Sequence, residues 1–499
     1  MFEKVARRGA AVLVISSCAA FAPVFSQAPA GSGKMPVTAA SEEARKLYLE
    51  GRDLLERLRV TDARRLFEQA AAKDQGFALA YVGLANTAGT NREFLDAVTK
   101  AVALADKVSE GERHQILAID AGLKGDPAGN LAHLKELVRL FPNDERAHTL
   151  LGVLYFGRQD YDNAIAEFVK ATSINAKFSP PYNQLGYAYR FMERFSDAET
   201  AFKKYTELIP DDPNPYDSYA ELLMKIGRFD ESIKMYEKAL SIDPNFVNSY
   251  VGIGNDYLGM GKTEQARTAF AKVAAHARNT GERRLARFWN AASYVHEGAT
   301  DKAIDELKAG YALAEAEHDA GTMSGDLVQM GDVLREANRP DEALAKYNDA
   351  VKTIDASQLP EPVKAATRRN HVFEETRVAV VKHDLATAKS RAAEYGKLVA
   401  PRNAPFELRQ QHELAGLIAL AEKRYADASG EFNQANQRDP RVLLLMAQAA
   451  QGAGETQRAA KLAGKAAHFN ELSFNFAYVR SKASRFGGTA LEPAVGAVK

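Results

Sequence analysis

Three registers recur along this chain at a spacing of 34 residues. Gly152, Gly186, Ala220 and Gly254 hold the first, Ala164, Ala198, Ser232 and Ala266 the second, and Phe168, Phe202, Tyr236 and Phe270 the third. A short unit that recurs this way can bury its apolar face only against its neighbours, which restricts the fold to a stacked array. Within one copy, His148, Leu151, Gly152 and Tyr155 fall at i, i+3, i+4 and i+7 and predict an amphipathic helix. A polar turn follows, and Ala164, Phe168 and Ala171 predict a second helix. Small residues let the two helix backbones approach, and the aromatic ring fills the space left beside them. The expected fold class is all-α, a stack of helix-turn-helix units.

This pattern resembles the tetratricopeptide repeat, whose unit carries W-x2-L-G-x2-Y, then A-x3-F, then P. The match is close at Tyr182, Leu185, Gly186, Tyr189, Ala198, Phe202 and Pro210. It returns early, at Gly51, Ala63, Phe67 and Ala70, and late, at Gly416, Ala428, Phe432, Ala435 and Pro440. Tyr or His replaces the usual Trp, and Thr376 stands where a glycine or alanine is expected. Units begin near residues 44, 78, 111, 145, 179, 213 and 247, and less regular ones near 284, 324, 369, 409 and 441. The resemblance implies a right-handed α-solenoid: a first block of about seven repeats over 44–280 and a more divergent block of about five over 281–470. Residues 471–485, with Leu472, Phe476 and Val479 on one side, predict a helix capping the open end, and 486–499 a disordered tail.

Proline punctuates the array. Phe141-Pro142, Ile209-Pro210, Asp243-Pro244 and Asp439-Pro440 fall where a second helix is expected to stop, because proline disfavours helix in the residue before it. The stretches 276–284, 355–362 and 399–405 read as lengthened junctions.

The N-terminus reads differently. Lys4, Arg7 and Arg8 precede an apolar run from Gly9 to Phe25, with small residues at Ser26 and Ala28, which predicts a signal peptide over 1–26 and export to the periplasm or beyond. Ile15-Ser16-Ser17-Cys18 offers the alternative of a lipoprotein anchored through Cys18, the only cysteine of the chain. Residues 27–43 begin with Pro, Gly, Ala and Ser and predict a flexible leader.

Lysine plus arginine equals aspartate plus glutamate at 65 each, so no overall field favours nucleic acid or a membrane surface. The ten histidines form no H-E-x-x-H, one cysteine forbids C-x-x-C, and G-x-S-x-G does not occur. Gly261-Lys262-Thr263 resembles the end of a phosphate loop, but Asp256 stands where that motif needs glycine. No catalytic residue, cofactor or metal site is therefore expected, and function is expected to lie on a surface. Trp289 and the Arg283, Arg284, Arg287 cluster read as packing and solvated-turn residues respectively.

The repeat resemblance also implies where that surface is. In family members the concave face is built from the first helices, and the matching positions here are Asn183, Tyr187 and Arg190, then Asn214, Asp217, Glu221 and Lys225, then Asn248 and Asn255. The asparagines and tyrosine are expected to stand exposed and to hydrogen-bond the backbone of a protein or peptide partner. The mixed charges argue against the two-carboxylate clamp some members use.

Overall fold

The structure, a computed structural model, describes residues 33–486. Among these, all regular structure is helical. Seven units pair α1 (Glu42–Glu56) with α2 (Val60–Lys73), α3 (Ala78–Asn86) with α4 (Asn91–Ala103), α5 (Glu110–Leu123) with α6 (Pro127–Leu140), α7 (Glu145–Gly157) with α8 (Tyr161–Ile174), α9 (Pro180–Phe191) with α10 (Phe195–Leu208), α11 (Asn214–Lys225) with α12 (Phe229–Ile242), and α13 (Val247–Gly259) with α14 (Thr263–His276). Five more pair α15 (Thr280–Glu297) with α16 (Thr300–Ala316), α17 (Ala320–Glu336) with α18 (Pro340–Asp355), α19 (Glu361–Val381) with α20 (Leu385–Val399), α21 (Pro405–Ala421) with α22 (Tyr425–Phe432), and α23 (Pro440–Gly452) with α24 (Thr456–Ala467). A final helix, α25 (Phe474–Ser484), follows. The expected signal peptide with Cys18, the leader up to residue 32 and the tail from 487 lie outside the described residues.

The small-then-aromatic order has a direct cause. A Cβ added at Gly152 would meet the Phe168 ring at 2.5 Å, one at Gly186 the Phe202 ring at 2.5 Å, one at Gly254 the Phe270 ring at 2.2 Å and one at Gly416 the Phe432 ring at 2.5 Å. Each ring lies flat against the glycine of its own helix pair and is wholly buried. Where Thr376 replaces the small residue, Ala392 occupies the position of the ring, so one size change offsets the other. Thr376 is itself buried and donates its hydroxyl to the Val372 carbonyl at 2.8 Å.

The turns inside the pairs also repeat. Leu58, Gln159, Glu193, Gly227, Gly261, Gly298, Asn338, His383, Lys423 and Gly454 each adopt positive φ between a first helix and its second. Helix starts carry their own caps: Ser109 and Glu112 form a reciprocal capping box, and Asp144 accepts from the amides of Arg146 and Ala147. Second helices end at Leu140, Leu208 and Ile242, just before the expected prolines, but α22 stops at Phe432 and Pro440 instead opens α23, where its fixed φ suits the first helical position.

The second block is harder to read in sequence because its helices grow. α15, α17, α19 and α21 run 18, 17, 21 and 17 residues, against 12 or 13 for α7, α9, α11 and α13. Most of the stretch 276–284, expected as a lengthened junction, is the first turn and a half of α15.

Two expectations for the ends are corrected. The described part of the leader is tied down: the amides of Met35, Thr38 and Ala40 donate to Asp144, Glu112 and Asp74, each at 2.7 Å, so the segment runs extended from the fourth unit back to the first. Nor does α25 cap an open end. Phe474, Phe476, Ala477, Tyr478, Val479 and Ala483 are all buried, which leaves it almost no outward face, and it packs on α15 as well as on α23 and α24.

Candidate functional site

The residues the repeat resemblance points to lie together, on α9, α11 and α13, but most are engaged within the repeats, and Lys225 is met by the chain's own C-terminal segment. Asn183, Arg190, Asn214 and Asp217 are buried. Asn214 donates its amide to the Tyr205 hydroxyl at 2.6 Å. Tyr187 donates to Glu221 at 3.0 Å, and Arg190 pairs with the same carboxylate at 3.0 Å while its guanidinium stacks over the rings of Tyr187 and Phe191. Asp217 accepts the Ser249 hydroxyl at 2.7 Å. Burial, and then the like charge of Glu221, push the Asp217 carboxyl up to about 8. Of the nine, Asn248 alone is exposed; Asn255 is half-buried and donates to the Val251 carbonyl of its own helix at 2.9 Å. The expectation of exposed asparagines is thus corrected for Asn183 and Asn214.

The cover is residues 438–482. Lys225 donates to the Phe469 carbonyl at 2.7 Å, pairs with Glu471 at 2.9 Å and sits 4.1 Å from the Phe469 ring centroid. Arg438 lies over Phe191 at 3.5 Å and bonds the Tyr161 hydroxyl. Lys465 reaches Glu193 at 3.3 Å. Phe474 packs on Phe288 of α15 at 4.8 Å between ring centroids, Tyr478 accepts from Gln329 of α17 at 2.7 Å, and Lys482 pairs with Glu336 at 2.9 Å. Arg480 donates to the carbonyls of Leu258 and Gly259, which close α13; the Leu258 carbonyl also accepts the Gly261 amide at 3.0 Å. The first helices of units five to nine therefore already hold a segment, and it is the chain's own.

Further along the same face the first helices carry a buried ion network. Arg335 pairs with Asp332 at 2.9 Å and Glu336 at 3.0 Å, Arg377 with Glu374 at 3.2 Å and with Glu413 at 3.7 Å, and Arg441 with Asp439 at 2.7 Å. Burial alone would raise the Asp332 carboxyl; the guanidiniums of Arg335 and Arg377 outweigh it and hold it below the usual carboxylate range. Every cation here has its counter-ion, so the network spends its charge internally.

One concave face stays open. Over α1, α3, α5 and α7 a groove encloses about 510 Å³, lined by Tyr48, Arg52, Asn86, Gln115, Arg146 and Thr149 among others. The segment 34–37 forms one wall. Arg146 is clamped by Glu56 at 2.7 and 3.0 Å and lies over the Phe178 ring at 4.6 Å. Burial pushes the Tyr48 hydroxyl up to about 12, against the opposing charge of Arg52. Arg45 Nε, Arg52 Nε and Gln115 Oε1 are buried with no hydrogen-bond partner, two donors and an acceptor that a ligand's backbone can use. Nothing in the repeat signature, which is as clear at Gly51, Ala63 and Phe67 as in units five to seven, marks these residues above others on first helices. The acids Asp74 at the end of α2, Glu112 in the first turn of α5 and Asp144 at the N-cap of α7 were the available signal.

The remaining candidates are structural. Trp289 is buried against Phe270 and Phe288. Arg284 pairs with Asp326 at 2.6 Å and Arg287 with Glu306 at 3.0 Å. Gly261-Lys262-Thr263 is the turn between α13 and α14. Among the described residues no helix is long and apolar enough to cross a membrane.

Parts of the repeat array match known family profiles. Family profiles described as tetratricopeptide repeat match residues 117–180, 179–212 and 251–320, and one described as TPR repeat matches 220–270. A curated relative, the anaphase-promoting complex subunit cut9 of Schizosaccharomyces pombe, is 26% identical over 209 residues, 36% of this chain. The chain spans 31% of that relative's length. Among solved structures, MamA is similar at 25% identity with a TM-score of 0.28, covering 32% of this chain and 94% of MamA. A tetratricopeptide repeat protein from Parabacteroides merdae is similar at 16% identity with a TM-score of 0.36, covering 55% of this chain and 94% of its own.

Proposed function

We propose that this chain, a tetratricopeptide-repeat protein, is a non-catalytic interaction scaffold of the cell envelope that holds an extended peptide segment of a protein partner in the groove over α1, α3, α5 and α7. One observation carries the reading: this block already grips an extended peptide, residues 33–40, by its backbone amides. Beside that peptide the groove keeps its volume and the unsatisfied donors of Arg45 and Arg52, which suit carbonyl or carboxylate oxygens of a second strand. In units five to seven Lys225 receives the C-terminal segment, while Tyr187, Arg190, Asn214 and Asp217 bond within the repeats themselves. The yeast relative is named as a subunit of a larger complex, which supports a role within an assembly.

The envelope location rests on the basic-then-apolar pattern of residues 1–26, and anchoring through Cys18 is the alternative. The mass of the mature chain from its native cell separates them. Loss of 26 or so residues supports export, a diacylglycerol on Cys18 supports the anchored form, and a full-length chain starting at Met1 overturns both.

For the groove, a photo-crosslinking residue is placed at Asn86, at Thr149, or at Val169 on the exposed face of α8. The same partner should be captured from Asn86 and Thr149 and not from Val169. Capture from Val169 alone would move the site to the convex face.

A further inference from the structure

At two units a histidine of the first helix is paired with a carboxylate of the second, 19 residues on. His148 Nδ1 meets Glu167 at 2.6 Å, and His412 Nδ1 meets Glu431 at 2.7 Å. In the third unit the same pair of positions holds His114 and His133, whose Nδ1 atoms stand 3.0 Å apart. The carboxylates have moved one turn along: Glu110 lies four residues before His114 on α5, and Glu136 three after His133 on α6. Donor atoms of Glu110, His114 and Glu136 all lie within 4.8 Å of one another.

We propose that the third unit binds a borderline divalent transition metal, Zn²⁺ being the first choice, through Glu110, His114 and Glu136, with His133, which touches His114 at 3.0 Å but lies outside that three-residue group, turning in as the fourth ligand. Two imidazoles with two carboxylates make a mixed nitrogen and oxygen set that suits Zn²⁺ and disfavours the all-oxygen preference of Ca²⁺ or Mg²⁺. Two nitrogens on one tetrahedral Zn²⁺, at the usual bond length, lie roughly 3.3 Å apart, close to the separation observed here. Ligands at i,i+4 on one helix and i,i+3 on its partner come from adjacent turns, so each helix offers its pair without unwinding. Metal binding needs neutral imidazole. Glu136 is shared, since Arg139 holds it at 2.6 and 2.8 Å, and Arg113 is the other cation acting on His114. The bound ion would staple α5 to α6, and α5 carries the Glu112 that grips Thr38.

The linear sequence hides this centre because its ligands come from two helices and match no short motif. The test is calorimetric titration of the metal-free full chain with Zn²⁺ alone near neutral pH. Wild type should bind one Zn²⁺ per chain and melt higher with it, and His114→Ala should lose about tenfold or more in affinity. His133→Gln removes the imidazole without adding a metal ligand at a half-buried helical position, so it keeps its helical circular dichroism while losing affinity to a similar degree. His148→Ala and His412→Ala should bind as wild type does. No saturable binding by wild type, or undiminished affinity in His114→Ala or in the folded His133→Gln variant, overturns the proposal.

Discussion

The two concave faces of this molecule are built from the same unit and end in opposite states. Over α1 to α7 the first helices leave a groove of about 510 Å³, with a leader segment along one wall and polar atoms of Arg45, Arg52 and Gln115 unpaired. Over α9 to α23 the charged groups at equivalent positions are paired within the chain, Arg190 with Glu221, Lys225 with Glu471 and Arg335 through Arg441 in one network, although Asn183 Oδ1 and Arg190 Nε are as unpartnered as the open side's atoms. The repeat thus supplies a face, and what lies on that face is decided by the chain's ends, the leader at one and the last unit with α25 at the other. A polar side chain at a concave position is a binding residue only where the chain has not already bound it.

The largest effect that would break this contrast comes from α25. Phe476 is buried between Phe469 and His296, so Phe476→Ala should cost about 3 to 5 kcal/mol in chemical denaturation and speed amide exchange in α13 and α15 more than in α1 to α7. Equal acceleration in both regions would mean the C-terminal segment does not cover one face selectively.

Next comes the packing that both faces share. Gly186→Leu drives a side chain into the Phe202 ring and should cost about 1 to 3 kcal/mol, while an exposed control, Val169→Ala, changes little. An unchanged melting temperature for Gly186→Leu would contradict the glycine-on-ring contact.

A pH-dependent effect sharpens the closed side. Asp256 is fully buried on α13, both carboxyl oxygens lack a hydrogen-bond donor, and the nearby Ser232 hydroxyl donates instead to Ala220 at 2.9 Å. Burial pushes its carboxyl up to about 8. Between about pH 4, where an unfolded aspartate ionises, and about pH 8, the unfolded chain binds fewer protons, so this group lowers stability as pH rises. Asp256→Asn should remove that slope. Its advantage over wild type should be absent near pH 4 and grow to about 1 to 3 kcal/mol by pH 8. An advantage that does not change with pH would show that the carboxyl is ionised in the fold.

A smaller effect belongs to the open side. Glu112 holds both the Thr38 amide at 2.7 Å and the Thr38 hydroxyl at 2.6 Å. Glu112→Gln should cost on the order of 1 to 2 kcal/mol and release the amides of residues 35, 38 and 40 to fast exchange. Protection retained at all three would show that the leader is held by other contacts.

Much of the fold was legible because it is carried by local repetition. Gly152 with Phe168 and Gly186 with Phe202 announce a contact that recurs, and the all-helical solenoid follows from it. Units eight to eleven were blurred, since longer helices break the 34-residue spacing and Thr376 with Ala392 inverts the size pattern. The candidate site was legible only in position. Asn183, Asn214 and Asp217 do sit on first helices, but no unit's own sequence records that Glu471 and Phe469, more than 240 residues beyond Lys225, return to cover that face. The leader misled for the same reason: a stretch that looks free by composition is held by acids on three later units.

The most direct measurement compares the two faces with one probe. A photo-crosslinking residue at Lys225, whose ammonium now stands 2.9 Å from Glu471, should join the segment around Phe469 and Glu471 of the same chain, while the probe at Asn86 captures the partner. Capture of the partner from Lys225 in place of that intrachain crosslink, or no capture from Asn86, would contradict a closed second face beside an open first one.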